Sequence, residues 1–295
     1  MTRLHDWLQL LRISNAPTCV TNVLVGCAIG IASLGPEHPG PWIDPVAVLL
    51  VLAGVFGFYL GGMALNDVLD AKWDIEHGAP RPIALGRITR WKAMLLAMGL
   101  LGIGVLGCSL AGGWGGLVTS LILLSCIVLY DSCHRSAWPA IFLMSCCRSL
   151  VYVVAAFAVT ASPDAGLLIV FGLGLGLHTM LVTSIARSER TAKRPSTWNI
   201  VLLPLAPCGA LLAYGAAELW AVVIFGVLLA LWLGRINRLL LNSPPNVLKA
   251  VLVGLSGIAL LDAFYLAMLG WAVLAFLATA CFALTAMAHR SISGT

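Results

Sequence analysis

The sequence predicts an all-α, polytopic transmembrane helix bundle with nine to ten spans. The chain has 295 residues, of which 60% are hydrophobic and only 10% are charged, whereas a soluble globular domain carries about 25% charged residues. The hydrophobic residues also fall in successive runs of about 20, which is the length that a helix needs to cross the hydrocarbon core of a bilayer. We expect one transmembrane domain over residues 1–295.

The apolar runs define ten predicted spans. The connections at 111–112 and 215–217 are so short that the helices on either side are expected to pack antiparallel. Closely spaced glycines such as Gly54, Gly57 and Gly61 predict close approach between helices. The ten spans are 15–34, 45–65, 92–110, 113–131, 138–160, 165–185, 198–216, 218–236, 246–268 and 270–288.

The basic residues are concentrated on one side of this predicted topology. Of the 17 Lys and Arg residues, all but Arg148 fall in segments that the ten-span count puts on the same face. Cytoplasmic loops of membrane proteins are enriched in Lys and Arg. We therefore expect both termini and the polar face in the cytoplasm, and the chain suits a multi-pass protein of a bacterial inner membrane.

The polar residues that close span two form the strongest chemical pattern. Asp67, Asp70 and Asp74 are spaced by three and four residues, which puts them on one helix face, and Asn66 precedes them. Three carboxylates on one face repel each other unless a cation lies between them, and such oxygen ligands suit Mg²⁺. A solvated helix end is the alternative. Arg81, a few residues downstream, is suited to bind phosphate oxygens bidentately, so the segment predicts a diphosphate site.

The same segment, NDVLDAKWDIEHGAPRPIALGRIT, resembles the first aspartate-rich motif of the UbiA superfamily of intramembrane prenyltransferases. The family pattern has Asn-Asp-x-x-Asp-x-x-x-Asp followed by Arg-Pro-x-x-x-Gly-Arg, and every one of these positions is present. The resemblance implies a helix bundle around a central cavity. It also implies that Mg²⁺, held by Asn66 and the three aspartates, binds an isoprenyl diphosphate whose tail extends into the membrane.

The segment after span six departs from the family pattern. A second aspartate-rich motif is expected there, but residues 183–194 contain one acid, Glu189, and four basic residues. This variant resembles the EboC-like subgroup of the family. We expect Arg187 to supply positive charge to the diphosphate in place of a second metal ion, and Glu189 to orient Arg187 or to complete the coordination of one metal.

Other polar residues are candidates for the site. Arg148 lies inside a span, where a charged side chain is a functional-site hypothesis by default; snorkelling to the membrane face is its alternative. Arg135, after span four, is expected to bind diphosphate, with an exposed loop arginine as the alternative. Acceptor or cavity contacts are expected from Asn15, Asn22, Tyr130, Asp131 and Asp262. Contact between helices is the alternative for Asn22, and a proton relay or pairing with a residue of another helix is the alternative for Asp262. Asp131 is alternatively a ligand or a helix-end charge. Aromatic rings at the cavity are expected from Trp73, Phe264 and Tyr265.

Together these features predict a Mg²⁺-dependent transferase that moves an isoprenyl group from its diphosphate to a small acceptor inside the membrane. The subgroup resemblance suggests a cyclitol-like acceptor, and a lipophilic one is the other option. A membrane terpene cyclase and a transporter or lipid-binding protein are the alternatives. Membrane lipid is an expected partner. Nucleic acid is not, because no basic cluster interleaved with aromatic residues is present.

Overall fold

The computed structural model describes residues 4–35, 44–133, 137–190 and 197–290, and within these ranges the regular structure is entirely helical. A short 3₁₀ helix, Ile13–Asn15, lies between the first two α-helices. The α-helices are α1 Leu4–Leu10, α2 Pro17–Ala32, α3 Pro45–Glu76, α4 Arg90–Cys133, α5 Ala137–Phe157, α6 Ala165–Arg190, α7 Thr197–Leu202, α8 Leu205–Tyr214, α9 Leu219–Leu241, α10 Val247–Met268 and α11 Ala272–Ala288.

The predicted helix-bundle class is confirmed, and nine of the ten predicted spans fall in one unbroken helical segment each, the exception being span seven. In the described residues, seven helices are long and apolar enough to cross a membrane by length and composition. One of them, the 44-residue α4, contains Gly113 in a non-helical conformation (φ 56°, ψ −138°). Gly113 therefore divides α4 into predicted spans three and four, which fold back on each other, and a Cβ on Gly116 would collide with the carbonyl oxygen of Cys108.

Two predicted spans differ from the structure. Span seven, predicted over 198–216, is broken into α7 and α8 at Leu203 and Pro204. The residue before a proline is disfavoured in helical geometry, which explains the break. The helix that contains span two extends beyond residue 65, since α3 continues without interruption to Glu76.

The helix α3 is defined at both ends by local sequence. Asp44 caps its N-terminus by accepting a hydrogen bond from the backbone nitrogen of Val46 at 2.9 Å, and Pro45 occupies the first turn, where its missing N–H costs nothing. The helix ends before Gly78, which takes a positive φ of 64°. The aspartate motif thus forms the last turns of a 32-residue helix, as its spacing predicted.

The glycines of α3 bring it against α4. A Cβ on Gly57 would lie 2.5 Å from the carbonyl oxygen of Leu100, and a Cβ on Gly54 would lie 2.6 Å from the sulfur of Cys108. Since real Cβ atoms do not approach so closely, only glycine permits this helix–helix distance. The predicted packing role of these residues is confirmed.

The buried side chains form two hydrophobic clusters. One joins α3 and α4 to parts of α2 and α5, and the other joins α6, α8, α9, α10 and α11 to other parts of α2 and α5. Helix α10 is the most enclosed, since residues 256–269 are all buried. The site described below lies where the two clusters meet.

Candidate active site

A cavity of about 220 Å³ opens among α3, α5, α6, α10 and the segment that precedes α2. Four arginines line it, and each comes from a different part of the chain: Arg12, Arg81, Arg148 and Arg187. Asn15, Asn66, Tyr59, Tyr130, Thr179 and Thr183 add polar groups. The remaining wall is apolar and consists of Met63, Ala140, Met144, Val182, Ala186, Val251, Leu255 and Ile258.

The three aspartates of the motif lie beside this cavity, at the end of α3. Asp67, Asp70 and Asp74 are 3%, 5% and 2% exposed. Burial of ionised carboxylates is costly unless they are paired or hydrogen-bonded. Arg81 pairs with two of them: its Nη1 lies 2.5 Å from Asp67 Oδ1, and its Nε lies 3.5 Å from Asp74 Oδ2. Arg12 contributes a longer contact to Asp67 Oδ1, at 3.5 Å.

A compact turn after α3 brings Arg81 back to the aspartates. The backbone nitrogen of Ala79 donates to the carbonyl of Asp74 at 2.9 Å, and that of Leu85 donates to the carbonyl of Arg81 at 2.9 Å. Gly86 takes a positive φ of 67°, a conformation that suits glycine. The sequence motif therefore folds on itself, with its arginine over its own carboxylates.

Arg148 projects from α5 into the space between the two halves of the bundle. Its Nη1 donates to Asn22 Oδ1 at 3.0 Å and to Thr18 Oγ1 at 3.2 Å, and its guanidinium carbon lies 5.8 Å from the ring centroid of Tyr59. Arg148 lines both the main cavity and a smaller one of about 90 Å³. This position favours the functional interpretation of Arg148 over snorkelling.

The smaller cavity accounts for two more of the predicted residues. Tyr130 lines both cavities, whereas Asp131 lines only the smaller one. Asn66 donates through Nδ2 to Asp131 Oδ1 at 3.2 Å, which links α3 to α4. Most of the other lining residues are apolar, among them Val55, Phe58, Leu123, Ile127 and Val151.

Two of the predicted cavity residues, Asn22 and Asp262, are buried in the bundle and do not line these cavities. Neither Asn22 nor Asp262 lines either cavity, and both are fully buried. The Asp262 carboxylate accepts hydrogen bonds from Asn22 Nδ2 at 2.8 Å and from the hydroxyls of Thr21 and Tyr152. Both side chains therefore make contacts between helices, which is the alternative interpretation of Asn22 and Asp262.

Arg187 lines the main cavity from α6, and its predicted role at the diphosphate stays a prediction. The Glu189 side chain and the whole of Arg135 lie outside the described residues, so their predicted roles stay predictions.

The predicted cavity positions of Trp73, Phe264 and Tyr265 are wrong, and Tyr59 lines the cavity beside Tyr130. Trp73 is 41% exposed and stacks on His77 with ring centroids 4.0 Å apart. Phe264 and Tyr265 pack in the hydrophobic core, because they lie in the part of α10, residues 256–269, that is buried throughout. Tyr59 borders both cavities.

The sequence reasoning missed Tyr59, Met63 and Arg12. The helix face that carries Asp74, Asp70 and Asp67 continues towards the N-terminus of α3 at spacings of four residues, to Met63 and Tyr59. Extending the spacing of the motif by two helical turns would therefore have identified both residues. Arg12 was counted among the basic residues, but nothing in its surroundings distinguished it from a flanking charge.

The oxygen donors at the end of α3 fit a magnesium ion that arrives with its substrate. Within the described part of the chain, no three Asp, Glu, His or Cys side chains are grouped closely enough to hold a metal ion by themselves. However, Mg²⁺ is usually bound by only one or two carboxylates together with substrate phosphates. Asp67, Asp70, Asp74 and Asn66 supply carboxylate and amide oxygens of that type.

Known proteins share both sequence and fold with this chain. Digeranylgeranylglyceryl phosphate synthase from Metallosphaera sedula is 33% identical over 110 residues, which are 37% of this chain and 36% of that protein. Protoheme IX farnesyltransferase from Bradyrhizobium diazoefficiens is 29% identical over 171 residues, 57% of this chain and 52% of that protein. The matched segments thus span about a third to a half of the length of these relatives.

Solved structures match over nearly the whole chain. A structure of digeranylgeranylglyceryl phosphate synthase has a TM-score of 0.60 at 18% identity and covers 92% of this chain and 99% of its own. A UbiA homolog from Archaeoglobus fulgidus bound to DMAPP and Mg²⁺ has a TM-score of 0.59 at 14% identity, with 88% and 99% covered. These likenesses show the fold. The model of the UbiA prenyltransferase family matches residues 23–252, and this integral multi-pass membrane protein therefore belongs to the UbiA prenyltransferase family.

Proposed function

We propose that this protein transfers an isoprenyl group from an isoprenyl diphosphate to an acceptor inside the membrane. The observation that carries the proposal is the cavity lined by four arginines beside three buried aspartates. Four guanidinium groups give this small space a strong positive potential, although Asp67 and Asp74 offset the charge of Arg81, and Asp67 that of Arg12. A diphosphate would supply further negative charge, and the arginine fork suits its oxygens.

The polar residues divide into two sets by charge. Asp67, Asp70, Asp74 and Asn66 would hold Mg²⁺, which would help to neutralise the negative charge of the departing diphosphate. Arg81, Arg148 and Arg187 would bind its oxygens directly and stabilise the same charge as it develops. Arg135 and Glu189 are further candidates for diphosphate binding and for orienting Arg187. The Archaeoglobus fulgidus homolog is bound to DMAPP and Mg²⁺, which supports the use of an isoprenyl diphosphate with Mg²⁺ in this site.

The apolar walls suit the rest of an isoprenyl substrate. The smaller cavity, which is mostly apolar and shares Tyr59 and Arg148 with the main one, is where we expect the tail to begin. Apolar surroundings also keep water away from the allylic centre, so that the acceptor reacts first. The face of the Tyr59 ring is suited to stabilise positive charge there.

The acceptor would reach the allylic carbon from the main cavity, close to Asn15 and Tyr130. A small polar molecule such as a cyclitol and a lipophilic alcohol both stay open as acceptors. We propose that the site faces the cytoplasm of a bacterial cell, because the segments that border it carry nearly all the basic residues.

The proposal is tested by binding of a non-hydrolysable geranylgeranyl diphosphate analogue to purified protein in lipid nanodiscs, with and without Mg²⁺. We expect Mg²⁺-dependent binding that Asp67→Asn weakens by about tenfold or more. The matched control is Asp44→Asn, the same substitution at the opposite end of the same helix, where Asn also caps well. Absence of binding for analogues of every chain length, with the protein folded, would overturn the proposal.

A further inference from the structure

Asp262 is a fully buried carboxylate, 0% exposed, in the most enclosed helix of the bundle. Its oxygens accept hydrogen bonds from Asn22 and Thr21 on α2 and from Tyr152 on α5. A buried carboxylate needs such donors or a positive charge nearby. Asp262 touches neither cavity, so the mechanism proposed above leaves it without a role.

The side chain of Asn22 connects Asp262 to the cavity. Its Nδ2 donates to Asp262 Oδ2 at 2.8 Å, and its Oδ1 accepts from Arg148 Nη1 at 3.0 Å. A carboxylate can only accept and a guanidinium can only donate, so the chemistry of its two neighbours allows the amide only this orientation. The three side chains form a chain of directed hydrogen bonds across α10, α2 and α5.

We propose that Asp262 is a positioning residue for Arg148. By fixing the orientation of Asn22, the Asp262 carboxylate holds the guanidinium at the junction of the two cavities with N–H donors left for a ligand. It also places a compensating negative charge near Arg148 in surroundings of low dielectric. This inference rests on the proposed function, since it assigns Arg148 to the diphosphate.

The decisive variants alter the direction of the hydrogen bonds. In Asp262→Asn, an NH₂ group replaces one carboxylate oxygen, so position 262 loses its charge, can donate as well as accept, and no longer dictates the orientation of Asn22. In Asn22→Asp, two buried carboxylates face each other with no donor between them. In the double variant N22D/D262N, the guanidinium donates to a carboxylate at position 22, which accepts in turn from the amide at position 262. The double variant therefore restores the net charge and gives each of these hydrogen bonds a donor and an acceptor, with the direction between positions 22 and 262 reversed.

Calorimetry in detergent measures two affinities of the purified protein: that for inorganic pyrophosphate in the presence of Mg²⁺ and that for farnesol. We expect Asp262→Asn to weaken pyrophosphate binding by about tenfold and to leave the affinity for uncharged farnesol unchanged. N22D/D262N should recover most of the loss. In an Arg148→Gln background, Asp262→Asn should have no further effect, because the two residues act through one path.

A purely structural role for Asp262 would give a different result. In that case Asp262→Asn would weaken the binding of farnesol and of pyrophosphate together, or it would weaken pyrophosphate binding by the same factor with and without Arg148. Either result overturns the proposal. His178→Gln is the control for loss of a buried polar side chain facing α10: His178 is 1% exposed, bonds to the carbonyl of Gly254 at 3.0 Å and should affect stability only.

The outcomes separate this inference from the proposed function. If wild-type protein binds no pyrophosphate, the proposed diphosphate site is wrong and the inference falls with it. If wild type binds and Asp262→Asn binds equally well, only the inference is overturned. If Asp262→Asn does not fold, Tyr152→Phe, which removes one of the three donors, takes its place and should weaken pyrophosphate binding only while Arg148 is present.

Discussion

Arg81 and Asp67 form the shortest ion pair beside the cavity, with Nη1 2.5 Å from Oδ1. The same guanidinium reaches Asp74 through Nε at 3.5 Å, so one side chain bridges two of the motif's three carboxylates. In the absence of substrate, Arg81 and a divalent cation must therefore compete for the same oxygens. A diphosphate would resolve this competition, because its oxygens can bind both the arginine and the metal.

Arg81→Gln should change two affinities in opposite directions. The affinity for Mn²⁺ alone, measured by electron paramagnetic resonance, should rise several-fold because a competing positive charge is removed from Asp67 and Asp74. The affinity for the diphosphate analogue should fall by about tenfold, because a charge-assisted hydrogen bond is lost.

The control for this prediction is Arg235→Gln, the same substitution at an exposed arginine that stacks 5.0 Å over Trp232 on α9, and it should change neither affinity. If Arg81→Gln weakens Mn²⁺ binding, Arg81 supports the metal site instead of competing with it, and the prediction is wrong.

Gly57→Ala should destabilise the protein through the contact of α3 with α4. The added Cβ would meet Leu100 O at 2.5 Å, and overpacking of this kind costs about 1–3 kcal/mol. Gly99→Ala is the matched control, since a Cβ there meets nothing within 4 Å and alanine is favoured over glycine in a helix by up to about 1 kcal/mol. In thermal unfolding in detergent, the melting temperature of Gly57→Ala should be lower than that of wild type, and that of Gly99→Ala should be equal to or higher than that of wild type. Equal melting temperatures for the two variants would contradict the close packing.

The fold class and the position of the aspartates were predictable because they depend on local pattern. Apolar runs of sufficient length define the helices, and the spacing of Asp67, Asp70 and Asp74 defines one helix face whatever surrounds it. The break at Pro204 was also readable, since proline disfavours helix at the preceding residue, but the apolar run through it concealed the signal.

The contacts that complete the site depend on long-range packing and were not predictable. Asp262 meets Asn22 across 240 residues of sequence, and no local pattern selects that partner. Tyr265 was predicted at the cavity but packs in the core, because a helix that is apolar on every face does not reveal which face meets a cavity. The phosphate-binding role of Arg81 could be predicted from the motif. Its contact with Asp67 could not, because it depends on the conformation of the turn after α3.

The stability of the protein should fall below about pH 6.5, in part because of His289. Burial lowers the pKa of His289, which follows α11 and whose Nε2 lies 2.6 Å from Asn15 Oδ1. Between the folded and unfolded pKa values, the unfolded chain binds more protons than the folded one, so stability rises with pH and is lost as pH falls. His289→Gln keeps an amide donor for Asn15 but does not titrate.

The test compares melting temperatures of wild type and His289→Gln across the pH range below neutrality. The decline towards acid pH should be shallower in the variant. A decline of the same steepness in both proteins would assign the acid sensitivity to other groups.

Tyr59→Phe should weaken diphosphate binding through the backbone of Arg12. Arg12 has φ 45° and ψ 47°, a left-handed conformation that is unfavourable for residues with a Cβ, and the Tyr59 hydroxyl donates to its carbonyl at 2.8 Å. Loss of this hydrogen bond should cost about 1 kcal/mol of stability and release Arg12 from its position near Asp67. We expect the affinity for the diphosphate analogue to fall by about threefold to tenfold, with no further loss when Tyr59→Phe is combined with Arg12→Gln.

The control for this prediction is Tyr214→Phe, at a tyrosine that packs edge-on against Phe171 with ring centroids 5.4 Å apart. An additive loss in the double variant would mean that the Tyr59 hydroxyl acts on the ligand directly and not through Arg12.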